Sequence, residues 1–299
     1  MKPFRKWSAA SACVAAVVTL AATLIGSAAA GAQEALPERV TFPSADGATT
    51  LVGYVFRPTG PHPARMPAVV MMHGRAGAYS LLAHGVYDAA TLSKRHAQWG
   101  RLWAQQGFVA ILVDGFGPRG FPQGFPRYSY NTRPEALNEV TVRPLDAYGA
   151  LAYLRTRGDV IADRIALQGW SNGGSATLAA MADTTPARTG LPPQGGFRGA
   201  LAFYPACALK GQFDDGLVPY APVRVLIGTA DEEVSPAVCA ELTAKSRARN
   251  GDLAITLYPG ATHDFDDPGR NRRGRYANAM AWQNAAARAI EFFARLLRG

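Results

Sequence analysis

Gly169-Trp170-Ser171-Asn172-Gly173-Gly174 fits Gly-x-Ser-x-Gly and falls between a short Ile/Leu-containing run and an Ala-rich one. A serine on such a strand-to-helix turn is held in a strained conformation with its hydroxyl exposed, and glycines flank it because neighbouring strands leave no room for side chains. The helix that follows points its first N–H groups at the spot where an oxyanion would form. A serine hydroxyl is a weak nucleophile at neutral pH, so a base must take its proton and a carboxylate must orient that base. In this arrangement the chain order is serine, acid, histidine. His62, His73, His84 and His96 precede Ser171, and only His263 follows it. The structural alternative for His263 is a surface-loop residue bonded to Asp264 or Asp266. Asp231, at the tip of the turn after the apolar run 223–228, is the expected acid, with Glu232 and Glu233 as rivals one and two residues on. The oxyanion hole is assigned to the backbone N–H groups of Asn172 and Arg75, with Ala76 as substitute, because the Gly-rich stretch His73 to Gly77 lets backbone approach a substrate oxygen.

These residues need strands to carry them. Apolar runs at 51–57, 68–73, 108–114, 164–169, 199–204, 223–228 and 254–258 alternate with amphipathic or Ala-rich stretches. That alternation predicts strand-helix units in a mostly parallel sheet, each strand buried on both faces. Leu145, Tyr148, Gly149 and Ala152 recur at helical spacing, a helix is expected to start after Ser171 and run through Met181, and Trp282, Ala286, Ala289, Phe293 and Leu297 form the stripe of a last helix. The stretch 115–134, with Gly, Pro and aromatics interleaved, is too long for a plain connection, and loops of that length are usually functional or mobile.

Lys2, Arg5 and Lys6 precede an uncharged run that ends in Ala30-Gly31-Ala32, the layout of an export signal cleaved near Gln33. Residues 1–32 are therefore read as a signal peptide and 33–299 as one catalytic domain, secreted to the bacterial periplasm. A retained anchor is disfavoured because the run is rich in Ala rather than Leu. Past the signal, 28 basic residues face 22 acidic ones, a mild +6. Arg270, Arg272, Arg273 and Arg275 look like a solvated turn, and no recognition pattern accompanies them, so neither nucleic acid nor membrane is expected as a partner. No metal or organic cofactor is implied, and oligomeric state is left open.

His73-Gly74, Val113 to Gly120, Gly169 to Gly174, Phe203 to Cys207, Gly228 to Asp231 and Tyr258 to Phe265 together resemble the dienelactone hydrolase family, across nearly the whole chain past the signal. The resemblance implies an α/β-hydrolase fold: a mostly parallel sheet of about eight strands with helices on both faces. It also implies hydrolysis of a small-molecule ester or lactone through Ser171, Asp231 and His263. A peptidase or a carbohydrate or polyester esterase would use the same triad, and a non-catalytic binding protein would keep only the fold. The founding enzyme of the family uses cysteine where this chain has Ser171, so triad and fold carry over and the substrate does not.

From the same map, His73, Arg119, Trp170 and Tyr204 are assigned to the substrate pocket, His73 also bracing its loop. Arg119 and Arg75, on loops at the carboxyl ends of strands, are candidates to grip a substrate carboxylate. Cys207 follows one expected strand, and Cys239 lies early in a helix capped by Ser235 and opened by Pro236, which places both thiols at one rim and predicts a disulfide.

Overall fold

The computed structural model describes residues 35–191 and 195–299, together with Met1. The expected signal peptide, Met1 apart, lies outside the described residues. Eight strands form one sheet: β1 (Glu38–Pro43), β2 (Thr50–Phe56), β3 (Met66–Met72), β4 (Val109–Asp114), β5 (Val160–Trp170), β6 (Ala200–Phe203), β7 (Val223–Gly228) and β8 (Leu253–Tyr258). Their order is β1-β2-β4-β3-β5-β6-β7-β8. The pairings from β4 to β8 are parallel, whereas β2 runs antiparallel to both β1 and β4.

Every residue of β3 and β4 is buried, as continuous apolar runs require in the middle of a sheet covered on both sides. Two departures from expectation lie at the sheet edges. β1 was not anticipated, because an edge strand with four of its six residues exposed carries no apolar run. β8 is buried only at Leu253 and Tyr258 instead of covered on both faces, since only β7 flanks it.

The helices are α1 (Lys94–Gln105), α2 (Arg143–Thr156), α3 (Asn172–Met181), α4 (Pro236–Ala248), the single turn α5 (Arg270–Arg273) and α6 (Tyr276–Arg298). Strand alternation sorts them onto two faces. Gln168 of β5 accepts a hydrogen bond from the Trp103 indole of α1 at 2.8 Å, while the next residue, Gly169, lies against Thr177 of α3. α6 shares the α1 face, its Phe293 ring 5.2 Å from Trp103. There Trp99, Trp103, Trp170 and Phe203 pack edge to face or tilted, each such pair contributing about 0.5–1.5 kcal/mol beyond its buried area.

α3 and α6 fall where the periodicity places them, with Ala289, Phe293 and Leu297 fully buried and Trp282 and Ala286 half-buried beside them. α2 is rotated from the expected stripe: Ala152 is exposed, and Ala147, Leu151 and Leu154 are buried with Tyr148. Packed against both the sheet and the neighbouring α3, it needs a broader apolar face than four positions supply. The long stretch after β4 is ordered into short turns that lie across the site described below. No helix among the described residues is long and apolar enough to cross a membrane.

Candidate active site

The carboxyl ends of four consecutive parallel strands converge on one place. β5 delivers Ser171, β6 Tyr204, β7 Asp231 and β8 His263. Ser171 has φ 51° and ψ −116°, a conformation that lifts its side chain out of the strand-helix junction. It is tolerated because the chain is held from both sides: a Cβ on Gly173 would overlap the carbonyl oxygens of Met72 and His73, so only glycine lets α3 start this close to β3.

The His263 imidazole joins the other two groups. Its Nδ1 lies 2.8 and 3.0 Å from the two oxygens of Asp231, and its Nε2 lies 3.1 Å from Ser171 Oγ. With Nδ1–H donating to a carboxylate, Nε2 carries the lone pair that faces the serine hydroxyl. Burial acts to push His263 down, but the Asp231 hydrogen bond and the charges of Asp264, Asp231 and Glu233 outweigh it and raise the imidazole above its ordinary value. The rivals for the acid sit elsewhere. Glu232 accepts the backbone N–H of His263, and Glu233 lies 3.8 Å from Nε2, on the far side of the ring from Asp231. Asp231 is itself oriented by the backbone N–H groups of Glu233 and Val234, each at 2.9 Å. Neither Asp264 nor Asp266 bonds the imidazole, contrary to the surface-loop alternative for His263: Asp264 is turned to Arg95, and Asp266 to Trp99, Trp170 and Tyr204.

Asn172 is the first residue of α3, so its N–H has no acceptor within the helix. Gly74 passes against the elbow, a Cβ there falling 3.2 Å from Trp170 O and 3.4 Å from Ser171 Cβ, which brings the backbone of Arg75 alongside Ser171. A residue with no signal in the sequence holds these two segments in place. Arg143, fully buried at the start of α2, donates from one Nη1 to the His73 carbonyl at 2.8 Å and to the Asn172 side chain at 2.5 Å. Glu139 accepts from the other end of that amide. Burial pushes the Arg143 guanidinium down to about 10, which leaves it charged at neutral pH.

Four residues assigned to the pocket turn out to be buried supports. Arg119 forms a two-pronged pair with Asp146 of α2, at 2.8 and 2.9 Å, and also donates to the Gly115 carbonyl. It is thus no grip for a substrate carboxylate, because its fork is filled by a partner 27 residues away. His73 donates from Nδ1 to the Gly74 carbonyl at 2.7 Å and accepts the Gly115 N–H at Nε2, so it braces its loop and lines no pocket. Burial and the nearby Arg143 charge hold it well below its ordinary value, in keeping with this neutral tautomer. Trp170 points into the aromatic core and donates to Asp266. Tyr204, at φ 37°, backs the imidazole with ring centroids 4.6 Å apart and is itself fully buried.

The rim is built from charge. Arg75 pairs through Nε and Nη2 with both oxygens of Glu233, so its side chain is also engaged within the protein. Arg127 reaches the same carboxylate at 2.7 Å and Glu232 at 3.5 Å. The stretch after β4 is fastened to the loop after β3 by paired bonds, the Phe125 N–H to the Arg75 carbonyl and Arg75 Nη1 to the Phe125 carbonyl. Arg272 and Arg273 are not a solvated turn: Arg272 bonds Glu232 at 2.6 Å, and Arg273 lies over the Trp282 ring. Glu233, His263 and Asp264 offer ligand atoms within 4.8 Å of one another, but Arg75, Ser171 with Asp231, and Arg95 already engage them. Cys207 and Cys239 are joined in a disulfide that ties the loop after β6 to α4, as expected.

Fold and residue placement define an α/β-hydrolase. The chain belongs to the dienelactone hydrolase family, whose model matches residues 51–297. A curated relative from Bradyrhizobium sp, described as a probable 2-oxo-3-(5-oxofuran-2-ylidene)propanoate lactonase, is 27% identical over 237 residues, covering 78% of this chain and 86% of that one. Among solved structures, a putative dienelactone hydrolase from Klebsiella pneumoniae superposes with a TM-score of 0.60 at 18% identity, over 86% of this chain and 99% of that one. Esterase 2 of Thermogutta terrifontis, phosphorylated by paraoxon, gives 0.59 at 18% identity, over 87% of this chain and 94% of that one. At that identity the two structures attest the fold.

Proposed function

We propose that this hydrolase cleaves a small carboxylic ester or lactone through an acyl-enzyme on Ser171. The observation that carries the reading is the unbroken relay from Ser171 Oγ to His263 Nε2 at 3.1 Å and from His263 Nδ1 to Asp231 at 2.8 Å. Ser171 Oγ attacks the carbonyl carbon while Nε2 takes its proton, and Asp231 stabilises the imidazolium. The carbonyl oxygen, now an anion, is held by the N–H groups of Asn172 and Arg75. Collapse breaks the bond to the leaving oxygen, which receives the proton from Nε2. Water repeats the sequence on the acyl-serine and frees the acid. Arg143 enters as a support that fixes the two N–H donors relative to each other.

The lactonase name of the Bradyrhizobium relative and the esterase names of the structural neighbours support a compact acyl substrate. The Cys207–Cys239 disulfide supports residence in an oxidising compartment such as the periplasm, reached by export through residues 1–32.

A fluorophosphonate probe tests the chemistry. Labelling of wild type and not of Ser171→Ala is expected, and a panel of p-nitrophenyl esters and lactones then identifies the acyl group. Wild type that resists the probe and turns over no member of the panel overturns the reading. Because the base must be neutral and His263 is raised, kcat/KM should climb with pH through a midpoint above the ordinary 6.5. A midpoint below 6.5 contradicts the charge environment described above.

A further inference from the structure

Behind the imidazole lies an assembly of charged groups that the reaction as written does not use. Asp266 is completely buried, and its carboxylate accepts three side-chain hydrogen bonds. One oxygen accepts the indole N–H of Trp99 from α1 and of Trp170 from β5, both at 2.8 Å. The other accepts the Tyr204 hydroxyl at 2.5 Å, and Tyr204 in turn accepts from Arg95 Nη1 at 2.7 Å. Arg95, on the first turn of α1, also holds the carboxylate of Asp264. Asp264 directly follows His263 and sits at φ 57°.

Trp170 is bonded through its peptide to Ser171, and Asp266 sits three residues beyond His263. One carboxylate therefore clamps the strand that carries the serine to the loop that carries the base. Carboxylates and guanidinium groups packed this near an imidazole lose solvation, a cost that mutual pairing offsets. Asp231, Asp264 and Glu233 surround His263 with negative charge, and Arg95 balances part of it from behind.

We propose that Asp266, Arg95 and Asp264 form a positioning assembly: Asp266 sets the separation of Ser171 and His263, while the Arg95–Asp264 pair sets the charge that His263 feels. The groups facing His263 are Ser171 from the elbow, Tyr204 from the loop after β6, Asp231, Glu232 and Glu233 from the loop after β7, and Asp264 from its own loop; Arg95 of α1 stands behind Tyr204 and Asp264, bonded to both. Arg272 of α5 acts on Asp264 through space. Removing Arg95 leaves Asp264 uncompensated and favours the imidazolium. Removing the Asp264 charge has the opposite effect.

The inference rests on the serine-hydrolase reading only in its rate arm, because the titration of His263 can be followed by NMR of its ring resonances without turnover. The midpoint should rise by about one pH unit in Arg95→Met and fall by a similar amount in Asp264→Asn, given charges this close in a partly dry site. Arg95→Lys, which keeps the charge, should titrate like wild type. Asparagine tolerates positive φ, so Asp264→Asn should fold even if Arg95→Met does not. In Asp266→Asn, fluorophosphonate labelling of Ser171 should slow about 10- to 100-fold, as a small misplacement of nucleophile and base would cause. Midpoints that stay together in Asp264→Asn and wild type, or that move the same way in Arg95→Met and Asp264→Asn, overturn the charge role. Undiminished labelling of Asp266→Asn overturns the clamp. Wild type that titrates as described yet resists the probe defeats the hydrolase reading and leaves the charge role standing.

Discussion

The elbow at Ser171 and the long stretch after β4 border the same site and differ in how much of their hold comes from side-chain charge. The elbow is enforced by backbone packing: α3 starts so near β3 that a single Cβ on Gly173 would collide with two carbonyls. The stretch from 115 to 142 also touches the loop after β3 through its backbone at Gly124 and Phe125, but much of its hold is side-chain charge, firm at its root through the Arg119–Asp146 pair and loose at its rim through Arg127, whose side chain is 40% exposed. Steric enforcement is rigid and local, whereas an ion pair holds only as well as its burial allows. Under the proposed reaction, one region would fix the atoms that react and the other would border the substrate.

Mutations can break this contrast in order of size. Ser171→Ala should reduce turnover about 10⁵- to 10⁶-fold while leaving the melting temperature near wild type, since chemistry at the elbow is separable from its packing. A rate loss of only a few-fold would remove Ser171 from the reaction. Arg119→Met should leave Asp146 in the interior without its hydrogen-bonded partner, with only the Arg143 charge beside it, and cost about 3–5 kcal/mol in denaturant unfolding. If it unfolds like wild type, the root of the stretch is not held as described. Replacing Cys207 and Cys239 by alanine, which opens a 32-residue loop between α4 and the loop after β6, should cost about 3–4 kcal/mol. Arg127→Ala is the smallest change. Glu233 keeps its bonds to Arg75, so stability should fall by no more than about 1 kcal/mol, and steady-state kinetics should show the effect in KM more than in kcat. An Arg127 variant as unstable as the Arg119 variant would erase the difference between rim and root.

What could be read along the chain was whatever depends on neighbours in sequence. The Gly-x-Ser-x-Gly turn, the apolar runs of the inner strands, the Ser235-Pro236 helix start and the requirement that a base follow the serine are local patterns, and the structure brings Ser171, Asp231 and His263 together as those patterns imply. Edge strand β1 escaped because an exposed edge carries no apolar run, and helix α1 because His96 and Gly100 fill two of the four buried positions, His96, Trp99, Gly100 and Trp103, that recur at helical spacing.

Partnership between distant charges could not be read, and it decided what most of the polar residues do. Arg119, Arg75, His73, Trp170 and Tyr204 all lie at strand ends, where a pocket is expected, but each finds a partner: Asp146, Glu233, Gly115, Asp266 and Arg95 respectively. Arg95 meets Asp264 across 169 residues of chain, and Arg143 meets His73 across 70. Turn conformation and hydrophobic period act over a few residues, so they are written in order along the chain. Pairing of buried charges depends on which loops the sheet order sets side by side, and that order exists only once the chain has folded.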